Sequence, residues 1–198
     1  ERYDLNSLSQ WLNQQVTDKS VILGWSLGGL VAQQFAFDHP SKVERLGLIA
    51  STPKFMSADD WFGIDEQILS MFADQLKIDH QQTIERFLAI QAMGARSAKQ
   101  DIKRIRDLVL AAPTPNLIAL QQGLELLKVI DLRATLATID IPVSAIFGRL
   151  DSLVPKKSIT HIEKLPKNSH ITILPKASHA PFISHLDEFN QWFENFLN

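Results

Sequence analysis

The chain has 198 residues, is 45% hydrophobic and 21% charged, and carries a formal net charge of −2. Such a balance offers no electrostatic reason for nucleic acid or an anionic membrane as partner, and no apolar run approaches the roughly 20 residues that span a bilayer. The sequence has no cysteine, which excludes disulfides, thiolate nucleophiles and Cys-ligated metals and fits a reducing compartment.

In chain order, Leu5, Leu8, Leu12 and Val16 recur at helical spacing and predict an amphipathic helix over 4–16, with a polar turn at 17–20. Residues 21–25 read as a short strand buried on both faces. Next comes Gly24-Trp25-Ser26-Leu27-Gly28-Gly29, leading into an apolar helix that ends near 38, before His39-Pro40. G-x-S-x-G between a strand and a helix is the sequence form of a nucleophile elbow. Gly24 and Gly28 are expected to leave room for the turn, because a Cβ at either site would strike neighbouring backbone. Residues 43–50 read as a second buried strand. Helix, strand, helix, strand implies parallel pairing through a right-handed crossover.

Between residues 51 and 135 the pattern changes to four helical stretches, over 65–78, 81–93, 97–111 and 116–129. The third opens on a Ser97-x-x-Gln100 capping box; Thr114-Pro115 supplies a cap and first-turn pair for the fourth. An all-helical block between strands is expected to be an inserted lid, 53–135, with the core formed by 1–52 and 136–198. Strands resume at 142–147 and 170–174, with helices at 156–164 and 186–196. The fold class is α/β, with about four strands in a mostly parallel sheet.

A serine hydroxyl needs a base, and the base an orienting carboxylate. In folds with this elbow the chain order is Ser, Asp or Glu, His, on loops past the C-terminal ends of strands. Asp151 follows strand 142–147 and fits; equally, it could be a turn or helix-capping aspartate. Asp131 and Asp140 fit less well. His179, among small residues after strand 170–174, fits as the base. His39, His80, His161 and His170 fall elsewhere, and His185 is the rival, near the start of the last helix. A metal site built on His179, His185 and Asp187 has no recognised ligand spacing, and neither phosphate-loop pattern is present, so no metal and no cofactor is called for. In the lid, Trp61, Phe62, Phe87, Leu88 and Met93 could line an apolar channel or pack helix on helix. Arg86, Arg96, Lys99, Lys103, Arg104 and Arg106 make 86–106 positive, either a solvated face or a docking surface for an acidic partner.

Residues 24–32, the lid stretch 85–94 and Ser178-His179-Ala180-Pro181-Phe182-Ile183-Ser184-His185 together resemble the BioH family of α/β-hydrolases, pimeloyl-[acyl-carrier protein] methyl ester esterases of biotin synthesis. The resemblance runs over essentially the whole chain, and the lid is its specific part. It implies a cytoplasmic, monomeric serine carboxylesterase that removes methanol from a pimeloyl methyl ester held on acyl carrier protein. Ser26, Asp151 and His179 match the family's triad and Leu27 its oxyanion-hole residue. Trp25, Ser26, Leu27, Phe87, Leu88, Ala89, Ile90, Gln91 and His179 match substrate-binding positions, and Arg86, Lys99 and Lys103 the carrier contact. Lysine where the family can carry arginine keeps charge but loses bidentate phosphate binding. Family members also have strands, and a His-Gly-Trp oxyanion segment, before the point where this sequence starts. The expectation is therefore a fragment with strand 21–25 at a bare edge and weakened activity. A broad short-chain carboxylesterase and a non-catalytic hydrolase-fold binding protein remain as other readings.

Overall fold

The computed structural model describes residues 3–91, 103, 107 and 116–198. Helix α1 (Leu5–Gln15) starts at Asp4, whose side chain accepts from the Ser7 N–H at 2.8 Å. Strand β1 (Ser20–Trp25), helix α2 (Leu27–Asp38) and strand β2 (Val43–Ile49) follow. Beyond β2 lie α3 (Glu66–Ile78), α4 (His80–Gln91) and α5 (Leu117–Val129), in the block expected to form a lid. After α6 (Arg133–Thr138) come β3 (Val143–Gly148), α7 (Lys156–Ile162), β4 (Ser169–Leu174), α8 (Pro181–Ser184) and α9 (Leu186–Leu197).

The four strands form one parallel sheet in the order β1-β2-β3-β4. Its middle is dry: all six residues of β3 are buried. Side chains alternate across the pleat. Leu46, Leu48, Ala145 and Phe147 face the cluster that holds Leu30, Phe35 and Ile159. Ile49, Ile146 and Leu174 face the other side, where Trp192 of α9 packs with Trp25 and Phe189. The indole N–H of Trp192 is satisfied by the Ser144 hydroxyl at 2.9 Å, so an aromatic anchor is buried without an orphaned donor.

Several expectations are corrected. β1 is not buried throughout, since Leu23 is 39% exposed. Residues 53–64, which precede the first helix expected in this block, form an irregular segment with two isolated bridges, Met56 to Ile64 and Ala58 to Trp61. Phe55, Met56, Trp61 and Ile64 from this segment, and Leu69 of α3, belong to the same apolar cluster as the sheet residues. The cap of α5 is Asn116, whose side-chain oxygen accepts from Ile118 and Ala119 N–H, rather than the earlier Thr114-Pro115 pair. The 97–111 helix and its capping box lie outside the described residues, apart from Lys103 and Asp107, which are helical.

Candidate active site

The strand-to-helix turn puts Ser26 at φ 52° and ψ −121°, a region costly for any residue with a Cβ. Two glycines permit it. A Cβ on Gly24 would lie 2.5 Å from the Gly28 carbonyl oxygen, and one on Gly29 would strike the Ser51 side chain. Gly28, expected to be sterically required, is not: a Cβ there would meet nothing within 4 Å. The tight partner of Gly24 is thus Gly29, because the first turn of α2 crosses the end of β1 at that residue and leaves Gly28 facing outward.

Asp151 and His179 reach Ser26 from two other loops. His179 Nε2 is 2.8 Å from Ser26 Oγ, and His179 Nδ1 is 2.8 Å from Asp151 Oδ2. The carboxylate can only accept, so Nδ1 carries the proton and Nε2 is left to accept from the serine. Asp151 also behaves as a turn aspartate: Oδ1 accepts from the Leu153 N–H at 2.8 Å and the Val154 N–H at 3.1 Å. The two readings of this residue are therefore both realised, one oxygen to each. Gly148 makes the approach possible, since a Cβ there would meet the carbonyl oxygens of Ala177 and Ser178. The Trp25 indole N–H donates to the His179 carbonyl at 2.8 Å, and its ring lies edge-on to Phe182 at 5.1 Å.

The remaining candidates separate. Asp131 is tied to Lys54 at 3.0 Å and to Arg133 at 2.8 Å, and Arg133 continues to Asp60 at 2.8 Å. Partial burial of Asp131 works to raise its pKa, but hydrogen bonds from Arg133 and Lys54 outweigh it and hold the carboxyl at about 2. Asp140 pairs with Lys167 at 2.7 Å. His185 flanks α9 and contacts the Ser184 hydroxyl at 2.9 Å, away from the Ser26 chain of bonds. Among the described residues no group of three His, Asp or Glu side chains is placed to hold a metal ion.

In the lid, Trp61 is a core residue, with its indole N–H on the Lys54 carbonyl at 2.8 Å and Arg133 over its ring. Phe62 is exposed beneath Lys157. Phe87 packs on Phe72 of α3 at 5.3 Å between ring centres, and Leu88, Ala89, Ile90 and Gln91 continue α4 after it. Arg86 on α4 is exposed, as is Lys103; Met93, Arg96, Lys99, Arg104 and Arg106 lie outside the described residues. Leu27 is the first residue of α2, where a backbone N–H has no acceptor within the helix. Two contributors went unread in the sequence, Ser51 and Gly148. Their position at strand C-terminal ends was the available signal.

The profile of the alpha/beta hydrolase fold family matches residues 3–186. A pimeloyl-[acyl-carrier protein] methyl ester esterase of Pseudoalteromonas atlantica is 48% identical over 188 residues, 94% of this chain and 73% of the relative. One of Shewanella oneidensis is 50% identical over 192 residues, 93% and 72% of the two chains. Among solved structures, an esterase from Exiguobacterium antarcticum superposes with a TM-score of 0.89 at 20% identity, covering 98% of this chain and 74% of the other. A bromoperoxidase from Bacillus anthracis gives 0.87 at 19% identity, covering 100% and 75%. At such identities the structures speak for the fold alone.

Proposed function

The chain belongs to the alpha/beta hydrolase fold family and, within it, to the pimeloyl-[acyl-carrier protein] methyl ester esterases, so it is a carboxylic-ester hydrolase; we propose that Ser26 is its nucleophile and a carrier-bound pimeloyl methyl ester its substrate. The observation that carries the mechanism is the unbroken chain from Ser26 Oγ through His179 to Asp151, 2.8 Å at each link. The substrate rests on the 48–50% identity to the named relatives.

His179 Nε2 takes the Ser26 proton as Oγ attacks the ester carbonyl carbon. The carbonyl oxygen becomes an oxyanion, for which the Leu27 N–H at the start of α2 is the proposed donor. Asp151 holds the imidazole in the working tautomer and stabilises its cation. The imidazolium returns the proton to the departing methoxide, and methanol leaves. Water then attacks the acyl-enzyme by the same route and frees the pimeloyl carboxylate, still attached to the carrier. Phe87 to Gln91 on α4 are the proposed acyl-chain contacts. Arg86, Lys99 and Lys103 are the proposed contacts to the acidic carrier protein. Release of the free carboxylate for biotin synthesis, in the cytoplasm, completes the reading.

The test is kcat/KM on the carrier-linked methyl ester against a short-chain nitrophenyl ester, with Ser26→Ala as control. A strong preference for the carrier-linked ester, lost in Ser26→Ala, is expected. Equal values for both esters would make the protein a broad carboxylesterase. Failure of a fluorophosphonate probe to label Ser26 would make it a non-catalytic binding protein.

A further inference from the structure

We propose that Ser51 is a positioning residue for the reaction: its hydroxyl fixes the Ser26–Leu27 peptide group and thereby aims the oxyanion donor. The proposal rests on the reading of Ser26 as nucleophile and Leu27 N–H as donor.

The end of β2 grips the elbow by both main-chain groups of Ser26. The Ser26 N–H donates to the Ile49 carbonyl at 3.0 Å, and the Ser51 hydroxyl donates to the Ser26 carbonyl at 2.7 Å. In a regular strand, the carbonyl of residue 49 would lie in the sheet while the side chain of residue 51 stood perpendicular to it. Both reach Ser26 because Ala50 between them has φ 45°, a left-handed turn unusual for a residue with a Cβ. Ala50 is itself anchored, fully buried with its N–H on the Ile146 carbonyl at 2.9 Å. Ser51 is equally closed to solvent and occupies the space that a Cβ on Gly29 would need.

The carbonyl of Ser26 and the N–H of Leu27 belong to one planar peptide unit, with the oxygen and hydrogen pointing in opposite directions. Fixing the oxygen therefore fixes the direction of the N–H. The oxygen receives two bonds, from the Gly29 N–H of the helix at 2.9 Å and from Ser51. The first keeps the helix; the second ties the peptide to the sheet and, by polarising it, strengthens the N–H as a donor. A donor so held contributes in the transition state, when charge gathers on the oxyanion, and little to binding of the uncharged ester.

The test compares Ser51→Ala and Ser51→Thr with the unaltered protein, using a short-chain nitrophenyl ester and a fluorophosphonate probe. Removing the hydroxyl should lower kcat and the saturating phosphonylation rate by about tenfold, with KM within about twofold, as expected when a donor that acts mainly in the transition state is left less well aimed. Ser51→Thr keeps the hydroxyl and should recover most of the rate. Ser51→Ala that labels and turns over at the unaltered rate overturns the proposal. So does Ser51→Thr that is as slow as Ser51→Ala, because the side chain would then matter for packing alone. If the unaltered protein itself takes no label, it is the nucleophile reading that fails.

Discussion

The carboxylate of Asp151 and the imidazole of His179 meet at 2.8 Å with their side chains 0% and 1% exposed. The Nδ1–Oδ2 contact is shielded from solvent, so neither partner readily trades the other for water. Replacing Asp151 by Asn keeps the shape but offers an N–H to Nδ1, which forces the proton to Nε2 and leaves Ser26 without a base. Asp151→Asn is expected to lower kcat by roughly 10³–10⁴ with KM little changed. Steady-state kinetics on a nitrophenyl ester check this, and a drop of less than tenfold would remove Asp151 from the mechanism.

Ser26 stands at φ 52° and ψ −121°. Such a conformation costs about 1–3 kcal/mol for a residue with a Cβ, and glycine adopts it freely at the expense of greater freedom when unfolded. Both Ser26→Ala and Ser26→Gly should be inactive. Ser26→Gly should nonetheless melt about 2–4 °C above Ser26→Ala, a net gain of about 1 kcal/mol. Equal melting temperatures by scanning calorimetry would mean that the elbow stores no strain.

The two neighbouring glycines of the elbow should respond in opposite ways. A Cβ on Gly29 collides with the buried Ser51 side chain, whereas Gly28 is exposed with open space around it. Gly29→Ala is expected to destabilise by about 2 kcal/mol or more through overpacking and to slow probe labelling of Ser26. Gly28→Ala should be neutral or stabilising by up to about 1 kcal/mol, since alanine is the better helix former. Urea unfolding of the two variants decides the matter.

The Lys54–Asp131–Arg133–Asp60 network ties the irregular segment 53–64 to the start of α6 and should show in the pH dependence of stability. The Asp131 carboxyl is held at about 2, below the ordinary value of 3.8. Its stabilising contribution is therefore full above about pH 4 and is lost as pH falls through about 2. Because the group is partly exposed, the network is worth about 1 kcal/mol. Asp131→Asn should lower Tm at pH 7 by about 2–4 °C, with the gap to the unaltered protein closing between about pH 4 and pH 2. A gap that persists at pH 2 would show that the side chain acts by shape rather than charge.

The proposed carrier docking depends on positive charge at residues 86, 99 and 103. Glutamate at Arg86, Lys99 and Lys103 should raise KM for the carrier-linked ester by about tenfold or more at low salt and leave the nitrophenyl ester unaffected. An equal effect on both esters would place these residues in general stability rather than docking.

Local features were legible in the chain alone. The order of helices and strands and the Ser26 turn follow from periodicity, glycine placement and the breaks around them, all within a few residues of chain. The candidates Asp151 and His179 follow from one rule, that such groups lie past the ends of parallel strands. Other features depend on distant segments meeting, and only folding settles them. The two oxygens of Asp151 take different tasks, and Trp61 lies in the core beside Arg133. The steric requirement falls on Gly29 rather than Gly28, because Ser51 packs there from the end of β2. A collision between residues 29 and 51 leaves no periodicity and no motif in the chain. It exists only once β1 and β2 pair in register and the left-handed turn at Ala50 swings Ser51 onto the elbow.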